Sequence, residues 1–143
     1  MIIGYTTGVF DLFHIGHLKL LERAKSRCEK LIVGVTTDEL VAYKFKTAVI
    51  PFEERIKIVG SIRCVDEVVP QTTMDKMQAW KKFNFNLMFV GDDWKGTKKW
   101  NKIEKSFKKV GVKIVYFPYT KGTSSSLINE FLLLQRDQLK KEK

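Results

Sequence analysis

Cysteine and histidine are scarce in this chain: of 143 residues, two are cysteines, Cys28 and Cys64, and two are histidines, His14 and His17. The cysteines stand in no Cys-x-x-Cys pair and no Cys/His cluster, which argues against a disulfide framework and a structural zinc site. Both are expected to be reduced and buried. No apolar run approaches the roughly 20 residues that a membrane-crossing helix needs. The opening Met1-Ile2-Ile3-Gly4-Tyr5 lacks the basic flank and the length of a signal peptide, so a cytoplasmic location without membrane insertion is expected. Acidic residues are also in deficit, 16 against 26 lysines and arginines, leaving a formal charge of +10. Such a surface attracts nucleotides, phosphates, nucleic acids and acidic membranes alike, and charge alone does not choose among them. Repeats, linkers and low-complexity tracts are lacking, so one domain is expected over residues 1–135, followed by a charged tail over 136–143 that frays.

What is present is enough apolar material, 44% of residues, to close one core. Short runs rich in Val, Ile and aromatics read as five buried strands: Met1 to Tyr5, Leu31 to Thr36, Val65 to Val69, Leu87 to Gly91 and Lys113 to Phe117. Helical spacing lies between them. Leu18, Leu21, Ala24 and Cys28 share one helical face, as do Trp100, Ile103, Phe107 and Val110. This alternation predicts an α/β fold, a doubly wound, Rossmann-like parallel five-stranded sheet with helices on both faces and ligands at the strand carboxyl ends. Ala42 to Pro51 breaks the periodicity and reads as a loop before a helix starting near Phe52.

The most informative stretch follows the first strand: Thr6-Thr7-Gly8-Val9-Phe10-Asp11-Leu12-Phe13-His14-Ile15-Gly16-His17. The two histidines straddle the first turn of a helix, where unpaired N–H groups and the positive end of the helix dipole favour an anion. Gly8 lets a phosphate approach the backbone, and Gly16 leaves room between the imidazoles. Zinc is disfavoured, because no further His or suitably spaced Cys completes a set of three or four ligands. The alternative is a pair of ordinary polar histidines at a helix end. Further along, Ser124, Ser125 and Ser126 precede an apolar helical run and read as an N-cap, a phosphate cradle, or both. Lys98, Lys99, Lys102, Lys105, Lys108 and Lys109 flank the apolar stripe of one helix and read as a solvated face, not a nucleic-acid groove. No nucleic-acid partner is therefore expected.

Gly8-Val9-Phe10-Asp11 with His14-Ile15-Gly16-His17 resembles the GxFDxxHxGH signature of the cytidylyltransferase-like nucleotidyltransferases. Arg63-Cys64-Val65-Asp66-Glu67-Val68, Gly91-Asp92-Asp93-Trp94 and Gly122-Thr123-Ser124-Ser125-Ser126 extend the resemblance over nearly the whole chain. It implies transfer of CMP from CTP to a small phosphorylated alcohol, glycerol 3-phosphate foremost, with release of pyrophosphate. It assigns a catalytic set of His14, His17, Lys44 and Arg63. The nucleotide would be held by Thr7, Gly8, Phe10, Asp11, Gly16, Lys46, Asp92, Asp93, Trp94, Tyr119, Gly122, Thr123, Ser124, Ser125 and Ser126. Tyr119 stands where the family has an arginine, and a phenol does not make the forked charged contacts of a guanidinium; Lys121 is placed to compensate. Mg²⁺ or another divalent cation as cofactor and a homodimeric state are likewise implied. Two alternatives stay open at this point: an adenylyltransferase of the same superfamily, and a noncatalytic nucleotide or nucleic-acid binding module. The latter would bind with a steep salt dependence and no turnover. The letters His-Ile-Gly-His also occur in class I aminoacyl-tRNA synthetases, but a chain of this length leaves no room for a complete synthetase.

Overall fold

The computed structural model describes residues 1–43, 47–118 and 132–139. The elements run β1 (Ile3–Gly8), α1 (Ile15–Lys25), β2 (Lys30–Thr36), α2 (Asp38–Tyr43), α3 (Phe52–Gly60), β3 (Glu67–Gln71), α4 (Lys76–Phe83), β4 (Leu87–Gly91), α5 (Lys98–Lys109) and β5 (Lys113–Phe117). A single 3₁₀ turn, Asp92–Trp94, follows β4, and a further helix spans 132–139. All strand pairings are parallel, in the order β3-β2-β1-β4-β5. The expected five-stranded α/β plan is the one observed.

Alternation along the strands divides the core in two. Leu31, Val33 and Val35 of β2 point to the face covered by α1 and α3, where they meet Leu21, Ala24, Val59 and Phe89. Ile32 of β2, with Tyr5 and Met88, points to the face covered by α4 and α5, where Trp100 and Phe107 close over them. Leu21, Val59 and Phe107 have no exposed surface at all, and each such side chain contributes roughly 1.5–3 kcal/mol by leaving water.

Two strands sit further along the chain than their apolar runs predict. β1 continues past Tyr5 to Gly8 because Thr6 is satisfied inside the sheet, its hydroxyl donating to the Phe89 carbonyl at 3.1 Å. β3 begins at Glu67, not Val65, because Val65 closes a turn onto the Ile62 carbonyl, and the strand runs on to Gln71. There the buried Gln71 side chain accepts, through Oε1, from the Thr36 hydroxyl at 2.7 Å. The region read as a loop from Ala42 begins inside the short α2, which includes Ala42 and Tyr43, while α3 starts at Phe52 as expected, with Pro51 at its N-cap. Cys28 and Cys64 are free thiols but only half-buried. Residues 136–139, read as the start of the tail, continue the helix at 132–139.

Candidate functional site

The strand order reverses at β1 and β4: the chain winds outward through β2 and β3, then returns to place β4 on the other side of β1. The carboxyl ends of β1 and β4 therefore splay helices to opposite faces and leave a crevice, the place where open parallel sheets bind ligands. A cavity of about 280 Å³ lies there, lined by Thr7 and Gly8 of β1, Gly91 and Trp94 after β4, and Lys99 and Trp100 of α5.

From Gly8 the chain turns sharply. Phe10 (φ 53°) and Leu12 (φ 50°) both adopt left-handed backbone conformations, uncommon for residues with large side chains. The turn folds the Phe10 ring back over Gly8, so closely that a Cβ on Gly8 would lie 2.9 Å from it. Only glycine fits. The Phe10 ring, 5% exposed, then meets His17 edge-on at 5.5 Å, and Phe13 lies 5.2 Å from the same imidazole.

His14 is the N-cap of α1. Its Nδ1 accepts from the Gly16 N–H at 3.0 Å, and the His17 Nδ1 accepts from the His14 N–H at 3.1 Å. The two side chains thus form a reciprocal capping box, with imidazoles doing what Ser and Glu do in the usual version. They stack with centroids 4.0 Å apart. Because both Nδ1 atoms are acceptors, each ring carries its proton on Nε2, on the side away from the capping bonds at the N-terminus of α1. Burial, reinforced by His14, pushes the His17 pKa down to about 4, and Asp11 opposes that shift. His17 is therefore neutral at neutral pH, a hydrogen-bond donor and not a cation.

Asp11, 5% exposed, accepts from the Val49 and Ile50 N–H groups at 2.8 and 3.0 Å. It supports the histidine turn from below and fastens the segment that leads into α3. Arg55, 1% exposed, completes this floor. Its guanidinium donates to the carbonyls of Ile50 (2.8 Å), Val9 (2.7 Å) and Thr36 (2.8 Å) and to the Asp38 carboxylate (2.6 Å). Burial raises the Asp38 pKa, but the Phe52 N–H and the guanidinium outweigh it, leaving a net downward shift.

The structure brings Thr7, Gly8, Phe10, Asp11, His14, Gly16 and His17 together at the end of β1. It sets Asp92, Asp93 and Trp94 across the crevice in the turn after β4. It does not bring Arg63 to them. Arg63 is exposed in the turn before β3, at the amino edge of the sheet, where Asp66 accepts from the Leu31 N–H. In a parallel sheet that edge lies a full strand away from the histidines, about 16 Å for five residues. Lys44, Lys46, Tyr119, Lys121, Gly122, Thr123, Ser124, Ser125 and Ser126 lie outside the described residues. Arg55 and Lys76 were missed by sequence reasoning. Lys76 is buried at the start of α4 and lines the same cavity, together with Thr36 and Gln71. A buried cation in an amphipathic helix looks like any other polar residue in a sequence; the weak signal for Arg55 is its place in the first turn after Pro51.

Residues 5–136 match the family described as cytidylyltransferase-like. The glycerol-3-phosphate cytidylyltransferase of Bacillus subtilis (strain 168) is 40% identical over 126 residues, covering 87% of this chain and 92% of that protein. The enzyme of the same description from Staphylococcus aureus is 34% identical over 128 residues, covering 89% and 92%. Among solved structures, the lipopolysaccharide core biosynthesis protein of Thermoplasma volcanium GSS1 superposes with a TM-score of 0.72 over 86% of this chain and 99% of that one; at 23% identity it shows the shared fold.

Proposed function

Given that this chain belongs to the cytidylyltransferase-like family, we propose that it transfers CMP from CTP to a small phosphorylated alcohol, glycerol 3-phosphate in the first instance. The products are the CDP-alcohol and pyrophosphate. The observation that carries the reading is the His14–His17 capping box at the strand-order switch point. Two imidazoles and the positive end of the α1 dipole stand together where a triphosphate would lie.

An oxygen of the acceptor phosphate attacks the α-phosphorus in line, the bond from that phosphorus to the β-phosphate bridging oxygen breaks, and pyrophosphate leaves on the opposite side. Such a transfer needs no covalent enzyme intermediate. It depends on holding two anions in line and on stabilising charge as it develops on the phosphoryl oxygens. His14 and His17 donate to those oxygens, Gly8 makes room for the Phe10 ring that packs against His17, and Lys76 and Lys99 give the cavity its positive lining. Trp94 and Asp92, across the crevice, are assigned to the nucleoside. Lys44, Lys46 and the segment from Tyr119 to Ser126 remain assigned to phosphate and nucleotide on family grounds. Arg63, at the far edge, is left out of the site that this chain forms by itself.

Mg²⁺ is proposed as the cation that travels with CTP. Among the described residues no group of three or more His, Cys, Asp or Glu side chains is placed to hold a metal ion. A resident metal centre therefore does not fit those residues, and no step is assigned to one. A homodimer is proposed from the family, with light scattering as its test. Among the described residues no helix is long and apolar enough to cross a membrane, and we place the reaction in the cytoplasm.

The test is pyrophosphate release with Mg²⁺ and glycerol 3-phosphate, CTP and ATP being compared in parallel, for the natural chain and for His17→Ala. CTP-dependent turnover that falls by about 10²–10³ in the variant, at unchanged fold, supports the proposal. Turnover with ATP alone, or full activity in the variant, overturns it.

A further inference from the structure

Helix α5 carries six lysines, Lys98, Lys99, Lys102, Lys105, Lys108 and Lys109, and a single acid, Glu104. The Glu104 carboxylate is taken up by the Tyr116 hydroxyl of β5. All six lysines are exposed, and none of them enters an ion pair among the described residues. At about 3.6 residues per turn, the buried Trp100 and Phe107 and the half-buried Ile103 fix the inner side of the helix. Lys98, Lys102, Lys105 and Lys109 then fall on one outward line opposite it. Like charges three and four residues apart repel and weaken a helix, so this ridge is a cost that no counterion among the described residues offsets.

The charge is also segregated. α4 lies beside α5 and adds the exposed Lys81 and Lys82. On the opposite face of the sheet, α1 mixes Lys19, Arg23 and Lys25 with Glu22, and α3 mixes Arg55 and Lys57 with Glu53 and Glu54. The α4–α5 side is thus more strongly and uniformly positive than the α1–α3 side, where acids are interspersed, an arrangement that orients the molecule in front of a negative surface.

We propose that the α4–α5 face is an electrostatic docking surface for an anionic lipid bilayer, on which the protein rests without inserting. The chemistry favours a bilayer over a nucleic acid. α5 has no arginine, and its aromatic rings are turned inward. It therefore lacks the planar fork and the stacking surfaces with which nucleic acids are gripped. What it presents is a straight convex row of point charges about 18 Å long, which matches a plane of anionic headgroups. Docking on this ridge leaves the histidine turn free, because α1 and the residues that open it lie on the other face of the sheet. The inference is independent of the reaction proposed above.

The test is co-sedimentation of the intact chain with vesicles of phosphatidylcholine alone and of phosphatidylcholine mixed with phosphatidylglycerol, at low and at roughly physiological salt. The natural chain is expected on the mixed vesicles only, and less of it as salt screens the charges. Lys102→Gln/Lys105→Gln/Lys109→Gln, three positions that do not line the cavity, is expected to lower partitioning about 100-fold, each basic residue near such a surface being worth about fivefold. Soluble turnover and the unfolding midpoint should be preserved. If the triple variant does not fold, Lys105→Ala alone should lower partitioning about fivefold. Absence of binding to mixed vesicles at low salt, equal binding to phosphatidylcholine, or undiminished binding by a folded variant overturns the proposal. So does displacement from mixed vesicles by RNA or DNA at equal phosphate concentration, which would assign the face to nucleic acid.

Discussion

Arg55 donates through Nη1 to the carbonyl of Val9, 2.7 Å away and 46 residues earlier in the chain. That bond joins α3 to the turn that carries the histidines. The same guanidinium also holds the end of β2 through Thr36 and the entry to its own helix through Ile50. One buried cation thereby sets the relative positions of three segments that the backbone does not otherwise connect.

Replacing Arg55 with Met is expected to cost about 3–5 kcal/mol of stability, because it leaves the carbonyls of Val9, Thr36 and Ile50 without their donor. Arg55→Lys should fall between, since an ammonium has fewer donors and no fixed fork. Urea unfolding of both variants checks this; equal midpoints for the natural chain and Arg55→Met would refute it.

Asp11→Asn should also destabilise the protein, by roughly 1–3 kcal/mol. The amide keeps one acceptor oxygen but turns an NH₂ donor toward one of the two N–H groups, of Val49 and Ile50, that the carboxylate now satisfies. Turnover should drop with it, because the histidine turn loses its tie to the segment leading into α3. Midpoint and pyrophosphate release are measured on the same preparation; a variant unchanged in both contradicts the assignment.

The acid sensitivity of His17 has a definite sign. Its folded-state pKa of about 4 lies below the ordinary 6.5, so between these values the unfolded chain binds a proton that the folded one refuses. Its contribution to stability is complete above about pH 6.5 and is lost progressively as pH falls toward 4. The unfolding midpoint of the natural chain should therefore decline more steeply across that window than the midpoint of His17→Gln. Parallel slopes would show that the ring is not held neutral.

Gly4→Ala tests the packing at the amino end of β1. A Cβ at that position would lie 2.5 Å from the Phe89 ring and 2.8 Å from the Cys28 sulfur, and relieving such overlap costs about 1–3 kcal/mol. Thermal unfolding should show the loss. An unchanged midpoint would mean that Cys28, half-buried, moves aside without cost.

The sequence by itself determined the alternation of elements and the capping histidines, because both are local. Strand and helix follow from the period of the apolar residues, and a three-residue spacing puts His14 and His17 on the first turn of one helix whatever surrounds it. It also exposed the charge of α5, since six lysines around an apolar stripe leave only the solvent side for them. Only the tertiary structure decided which arginine lies under the turn that carries the histidines. Arg55 and Arg63 are eight positions apart, but α3 runs the length of the sheet between them. It carries Arg55 to the carboxyl edge under Val9 and leaves Arg63 at the amino edge. Likewise Lys76 joins the cavity because β4 returns beside β1 and folds α4 over the crevice. Such assignments depend on strand order and helix direction, which arise from contacts between residues distant in the chain, and local periodicity carries no record of them.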